Sequence, residues 1–223
     1  FHTESELEVL LQRRNRSDIT NIKINDNITN RGYQKQAITA IYDRLNKKHR
    51  RGLLVMATGT GKTRISISLV DVLARSGWVK NVLFLADRTS LVSQAHSNFK
   101  DLLPEFPTCV LSEGGNDKNI GARLMFSTYQ TMINYIDSED KIFSVGRFDL
   151  ILIDEAHRSI FNKYGTIFEY FDSFLIGLTA TPKSDVDFNT YRIFNCESGE
   201  PNFAYGLEEA VKDKYLVPYR VVN

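Results

Sequence analysis

Apolar residues recur along this chain at two alternating spacings. Between Tyr33 and Arg50 they fall at Ala37, Ile38, Ile41 and Leu45, a recurrence that predicts an amphipathic helix. Leu53–Met56 follows as a short continuous apolar run closed by Thr and Gly, the pattern of a buried strand. The alternation then repeats. Thr63–Ser76 carries Ile65, Leu69, Val72 and Leu73 on one helical face, Val82–Ala86 reads as a strand, and Thr89–Leu103 reads as a helix with Leu91, Val92, Ala95 and Phe99 inward. Leu124–Ser127, Leu150–Ile153 and Leu175–Leu178 are further apolar strands. Uninterrupted apolar strands separated by helices predict a parallel sheet covered on both faces, so the expected fold class is α/β. Residues 1–30 lack this texture. A short charged stretch precedes a segment rich in Asn, Asp and Thr, which reads as an irregular lead-in from an upstream domain.

Composition narrows the picture mainly by exclusion. The 223 residues are 42% hydrophobic and 25% charged, as in ordinary globular domains, and a chain of this length buries enough surface to need no disulfide or metal staple. Basic residues number 28 and acidic residues 27, so any nucleic-acid contact must come from a local patch. Cys109 and Cys196 have no paired spacing, which argues against a zinc module. No apolar run has the length of a membrane span, and no secretory signal opens the chain. Phe1 is not a natural start, so a segment of a longer polypeptide is expected.

Chemistry concentrates first in Thr58-Gly59-Thr60-Gly61-Lys62-Thr63, between a predicted strand and a predicted helix. Glycines let backbone N–H groups turn inward around phosphate oxygens, and the start of the helix adds a favourable dipole. Lys62 would supply a point charge to the β- and γ-phosphates, and the Thr63 hydroxyl could bind Mg²⁺. The strict form of this pattern has Gly where Met56 stands. The alternative reading is a glycine-rich connector with a solvated lysine.

A second concentration follows the most apolar strand: Leu150–Ile153 runs into Asp154-Glu155-Ala156-His157. Ligands of open α/β sheets bind beyond the carboxyl ends of the strands, so this pair should face the phosphate loop. Nucleotide hydrolysis needs one carboxylate on Mg²⁺ and another orienting the attacking water. Asp154 suits the first role and Glu155 the second; a solvated acidic turn is the bland alternative. His157 has no other His or Cys at ligand spacing.

Together these residues resemble superfamily 2 helicases and translocases. Lys62 and Thr63 match motif I, Asp154 to His157 match motif II in its DEAH form, and Thr179-Ala180-Thr181 matches motif III. Arg31-Gly32-Tyr33-Gln34 looks like the Q-type motif, Asp87-Arg88 with Leu91 like motif Ia, and Ser127-Thr128-Tyr129-Gln130-Thr131 like the next strand-end motif. The connecting text, including Phe84–Arg88, Gly177–Lys183 and the tail from Tyr205 to Tyr219, is most similar to the R (motor) subunit of type I restriction enzymes.

The resemblance implies a RecA-like P-loop three-layer sandwich with a mostly parallel central sheet. It implies a first motor domain over residues 31–223, with the connection to a second lobe starting near 205–223. It implies ATP and Mg²⁺ as cofactors and double-stranded DNA as the partner. A second RecA-like lobe and a nuclease domain of the same polypeptide are implied as well, together with methyltransferase and specificity subunits, in the cytoplasm and with no membrane. Residue by residue, Gln34 would recognise adenine, with an exposed helix-start glutamine as the alternative. Arg88, Ser127 and Thr128 would touch the DNA backbone, although Arg88 could be a plain surface charge. His157, Thr179 and Thr181 would couple nucleotide state to DNA or the second lobe, while strand-end capping is open for the threonines. The aromatic run Phe161, Tyr164, Phe168, Tyr170, Phe171 and Phe174 reads as core rather than as base-stacking surface. A repair-type superfamily 2 helicase and a nucleotide-gated module without hydrolysis are the competing functions.

Overall fold

The computed structural model describes residues 19, 22–112, 119–138, 142–156, 158–180, 188–196 and 199–218, with the side chains of 158–162 and 188–189 outside that description. The elements run α1 (Gly32–Asn46), β1 (Arg51–Met56), α2 (Lys62–Arg75), β2 (Val82–Ala86), α3 (Thr89–Leu102), β3 (Thr108–Val110), β4 (Leu124–Thr128), α4 (Tyr129–Asp137), β5 (Leu150–Asp154), α5 (Arg158–Tyr170), β6 (Phe174–Thr179), α6 (Phe188–Ile193), β7 (Phe203–Tyr205) and α7 (Leu207–Lys212). The strands form one seven-stranded sheet in the order β3-β4-β2-β5-β6-β1-β7. Each pairing in it is parallel, as uninterrupted apolar strands joined by helical crossovers require.

Strand alternation divides the core into two layers. On β1, Leu54 and Met56 face the cluster covered by α1, α2 and α3, where Ile38, Ile65 and Phe99 are buried. Leu53 and Val55 face the opposite cluster, which holds Met132 and Tyr135 of α4, Tyr164, Ile167 and Phe168 of α5, and Tyr191 of α6. The result is a three-layer α/β sandwich. The predicted faces of α1 and α3 hold, with Leu91 only half-buried. α2 differs, because Ile65 to Leu73 are buried around its whole circumference. It lies between the sheet and the lead-in: Thr29 Oγ1 donates to Ser68 Oγ at 3.0 Å, Arg64 Nη1 to the Ile28 carbonyl at 2.9 Å, and Arg75 Nη2 to the Lys23 carbonyl at 2.9 Å. The irregular segment 22–30 is therefore docked on α2, and Ile28 belongs to the core.

In the aromatic run, Tyr164, Phe168 and Phe171 are buried, as the core reading expected, while Tyr170 and Phe174 are half-buried. The Phe161 side chain lies outside the described residues. No helix among the described residues is long and apolar enough to cross a membrane.

Candidate active site

The carboxyl ends of β1 and β5 carry the two sequence features, with β6 between them. After β1 the chain turns through Ala57–Gly61, and Gly59 and Gly61 take φ of +84° and +87°, the left-handed region that favours residues without Cβ. Gly61 is also the N-cap of α2, so no capping side chain and no acidic residue of the first turn competes for the helix's opening amides. An uncapped helix start bearing a lysine is suited to an anion. Met56, where the strict pattern has glycine, is the last residue of β1, buried and paired with Tyr205 of β7. Its backbone is in an ordinary extended ladder, which explains why glycine is not needed there.

The loop is propped from beneath. Thr60 is buried and donates its hydroxyl to the Ala57 carbonyl at 2.6 Å. The Thr60 carbonyl accepts from Gln34 Nε2 at 3.1 Å and from the Tyr33 hydroxyl at 2.7 Å. Tyr33 in turn stacks on Tyr205, with centroids 4.0 Å apart and planes 7° from parallel, and Arg31 Nη1 donates to its hydroxyl at 3.0 Å. Gln34, expected at the adenine edge, is thus 2% exposed, with its amide spent on the phosphate loop. Tyr33 and Tyr205 were not singled out from sequence. Only the position of Tyr33 inside Arg31-Gly32-Tyr33-Gln34 hinted at such a role.

Lys62 links the two halves of the site. Its Nζ lies 3.7 Å from Glu155 Oε1 and 3.4 Å from the Met56 carbonyl, both long contacts for an ammonium group. Glu155 Oε2 accepts from the Ala180 amide at 3.4 Å, joining the carboxylate pair to the segment that follows β6. Burial and the adjacent Glu155 push the Asp154 carboxyl above the ordinary range, only partly opposed by Lys62. Thr63 follows in the first turn of α2, half-buried, while Thr58 and Gly59 are exposed on the outer side of the loop.

The remaining expected residues scatter around this centre. Thr179 ends β6, buried and in register with Val55. His157 and Thr181 lie outside the described residues. Arg88 is largely exposed at the start of α3, 3.9 Å from Asp87. Ser127 is buried and donates to the Thr128 carbonyl at 2.9 Å. Thr128 caps α4, its hydroxyl accepting from the Thr131 amide at 3.1 Å. Their side chains are engaged within the chain, so of the three expected DNA contacts only Arg88 presents an open side chain.

The chain matches, over residues 27–184, the family described as "Type III restriction enzyme, res subunit". It is 36% identical over 199 residues to the type I restriction enzyme EcoAI endonuclease subunit of Escherichia coli, covering 86% of this chain and 24% of that protein. Among solved structures, a fragment assigned as the HsdR subunit of a type I restriction enzyme from Vibrio vulnificus YJ016 superposes with a TM-score of 0.62 at 27% identity, covering 98% of this chain and 36% of that one. The helicase domain of Hef from Pyrococcus furiosus shares the fold, with a TM-score of 0.64 at 24% identity over 89% of this chain and 43% of that one. The chain thus spans about a quarter of the curated relative's length. It belongs to the restriction-enzyme res subunit family of superfamily 2, with the RecA-like fold of its helicase neighbours.

Proposed function

We propose that this chain is the first ATP-binding and ATP-hydrolysing motor lobe of a type I restriction endonuclease R subunit. The lobe spans residues 31–223, with 1–30 as the lead-in. It drives ATP-dependent translocation along duplex DNA before cleavage by a nuclease domain elsewhere in the polypeptide. The observation that carries the reading is the placement of Lys62 between the phosphate loop and Glu155, at long range from both of its partners. A lysine held this loosely is free to move to a stronger anion, and a nucleotide triphosphate on the α2 amino end provides one.

The residues fit the expected cofactors. Asp154 is a desolvated carboxyl with Lys62 as a nearby cation among the described residues, and Thr63 sits in the first turn of α2 beside Lys62. Asp154 and Thr63 would hold Mg²⁺, which would supply charge neutralisation to the phosphates. Once Lys62 turns to the phosphates, Glu155 loses its ion pair and can orient a water and accept its proton, while the Ala180 amide steadies the other carboxylate oxygen. Thr179 and Ala180, continuous with β6, would relay that change toward DNA and the second lobe, together with His157 and Thr181. Arg88 would hold the DNA backbone without reading sequence. Methyltransferase and specificity subunits would supply target recognition, and the complex would work in the cytoplasm.

The test is ATP binding by calorimetry, alongside ATP turnover with Mg²⁺ in the presence and absence of duplex or single-stranded DNA. Binding to this chain, with turnover that needs the full-length polypeptide and duplex DNA, supports the motor reading. A preference for single strands with unwinding would favour a repair-type helicase. Binding without turnover in the full-length protein would leave a nucleotide-gated module.

A further inference from the structure

Glu155 has φ of +56°, in the left-handed region that a residue with a Cβ enters at a cost of about 1–2 kcal/mol. Such a conformation persists only when its surroundings impose it. Two peptide planes flank this residue, and each is held by a different element. The plane after Glu155 is anchored by the Ala156 amide, which donates to the Leu178 carbonyl of β6 at 2.9 Å. The plane before it is met by the Tyr129 hydroxyl, which donates to the Asp154 carbonyl over a long 3.3 Å, with the ring's packing rather than the bond length holding it there. Rotation about N–Cα and Cα–C of Glu155 is therefore resisted from both sides.

Tyr129 is built for this contact. It opens α4, is among the largest fully buried side chains, and stacks on Tyr164 of α5 with centroids 5.3 Å apart and planes 13° from parallel. Phe168 meets its ring edge-on at 6.4 Å. A buried α4 ring packed against two aromatic rings of α5 leaves the hydroxyl little freedom to aim elsewhere. The other side of the turn is equally close-fitting: a Cβ on Gly177 would come within 2.8 Å of Ala156 Cβ and 2.4 Å of Phe194 Cζ.

We infer that Tyr129 is a positioning residue for hydrolysis, its hydroxyl fixing the Asp154–Glu155 peptide so that the Glu155 carboxylate is aimed at the attacking water. The inference rests on the role given above to Glu155. It also ties that carboxylate to the junction of β4 and α4, because Tyr129 directly follows Thr128.

The substitution Tyr129→Phe keeps the ring and deletes the hydroxyl. In the full-length polypeptide, kcat for ATP should fall about tenfold, while KM and calorimetric ATP affinity stay within about twofold, since only an interaction serving the chemical step is lost. In this chain alone, amide hydrogen exchange at Ala156 and Ala180 should quicken about tenfold, with Ile151–Ile153 of β5 unchanged. A lower melting temperature with unchanged kcat would reduce Tyr129 to a packing residue and overturn the inference, as would unchanged exchange at Ala156. Failure of the underlying reading looks different: Glu155→Gln would then hydrolyse ATP as fast as the wild type, whatever Tyr129→Phe does.

Discussion

The two ends of one parallel sheet treat charge in opposite ways. At the amino edge, Asp149 is buried beside β5 and accepts from the Lys80 and Asn81 amides at 2.9 and 3.0 Å. Arg147 donates to the Ile120 and Ala122 carbonyls at 3.0 and 2.8 Å, and Arg123 donates to the Lys80 carbonyl at 3.1 Å while its guanidinium lies 4.7 Å above the Phe106 ring. Asp149 is near enough to act electrostatically on both arginines. At the carboxyl edge, Lys62 stands 3.7 Å from Glu155 and 3.4 Å from the Met56 carbonyl, Glu155 accepts from the Ala180 amide at 3.4 Å, and the Glu155 backbone is in the left-handed region. Charges satisfied within the chain hold the sheet together. The charges of the carboxyl edge keep longer contacts, which the proposed nucleotide site would use.

Substitutions can break this contrast, and the largest effect belongs to the chemistry. Glu155→Gln should lower ATP hydrolysis by at least about 10²-fold in the full-length protein while leaving Mg-ATP binding intact, as read by turnover beside calorimetry. Retained turnover with lost binding would reverse the roles of the carboxylates. Lys62→Ala should weaken Mg-ATP binding at least about tenfold and stop translocation with little change in melting temperature, since its present contacts are long. Undiminished translocation would remove the phosphate-loop assignment.

Asp149→Ala should behave in the opposite sense. Removing it takes the acceptor from the buried Asn81 amide and the half-buried Lys80 amide and weakens the field on two arginines, so unfolding by denaturant should become easier by about 2–4 kcal/mol with nucleotide affinity unchanged.

The smallest effect is the most diagnostic. Asp154 has a raised pKa in the folded chain, so the folded state holds its proton to higher pH than the unfolded one. Its favourable contribution is fully present below the ordinary carboxylate pKa and is lost as pH rises through the raised value. Metal-free Asp154→Asn should therefore be slightly more stable than the wild type near neutrality, and its melting temperature should depend less on pH over that window. A lower melting temperature for the variant at neutral pH would contradict the desolvated carboxyl.

Much of the fold was legible because buried parallel strands must be apolar throughout. Leu53–Met56, Val82–Ala86 and Leu150–Ile153 announce themselves, and the helices between them carry three- and four-residue spacing. The three-residue strands Thr108–Val110 and Phe203–Tyr205 lie at the sheet edges and are too short to show a period. α4 and α7 were also missed, being short and starting directly at strand ends or turns. Within the candidate site, the glycine-rich loop and the carboxylate pair were singled out by residue type and spacing. The props under the loop, Tyr33 on Tyr205, join residues far apart in the chain, and no local pattern signals such a pair.

By itself the sequence determined which chemistry is present: a glycine-bounded lysine at a helix start, two carboxylates ending an apolar strand, and strands that must lie inside a covered parallel sheet. Tertiary structure decided how those groups stand toward one another. It set β6 between the two halves of the site, turned Gln34 inward onto the Thr60 carbonyl, and used the Thr128 hydroxyl as a cap. It also aimed the Tyr129 hydroxyl at the Asp154 carbonyl. The division has a physical reason. Backbone period and residue type are local properties, whereas strand order and the pairing of buried polar groups follow from which crossover packs on which face.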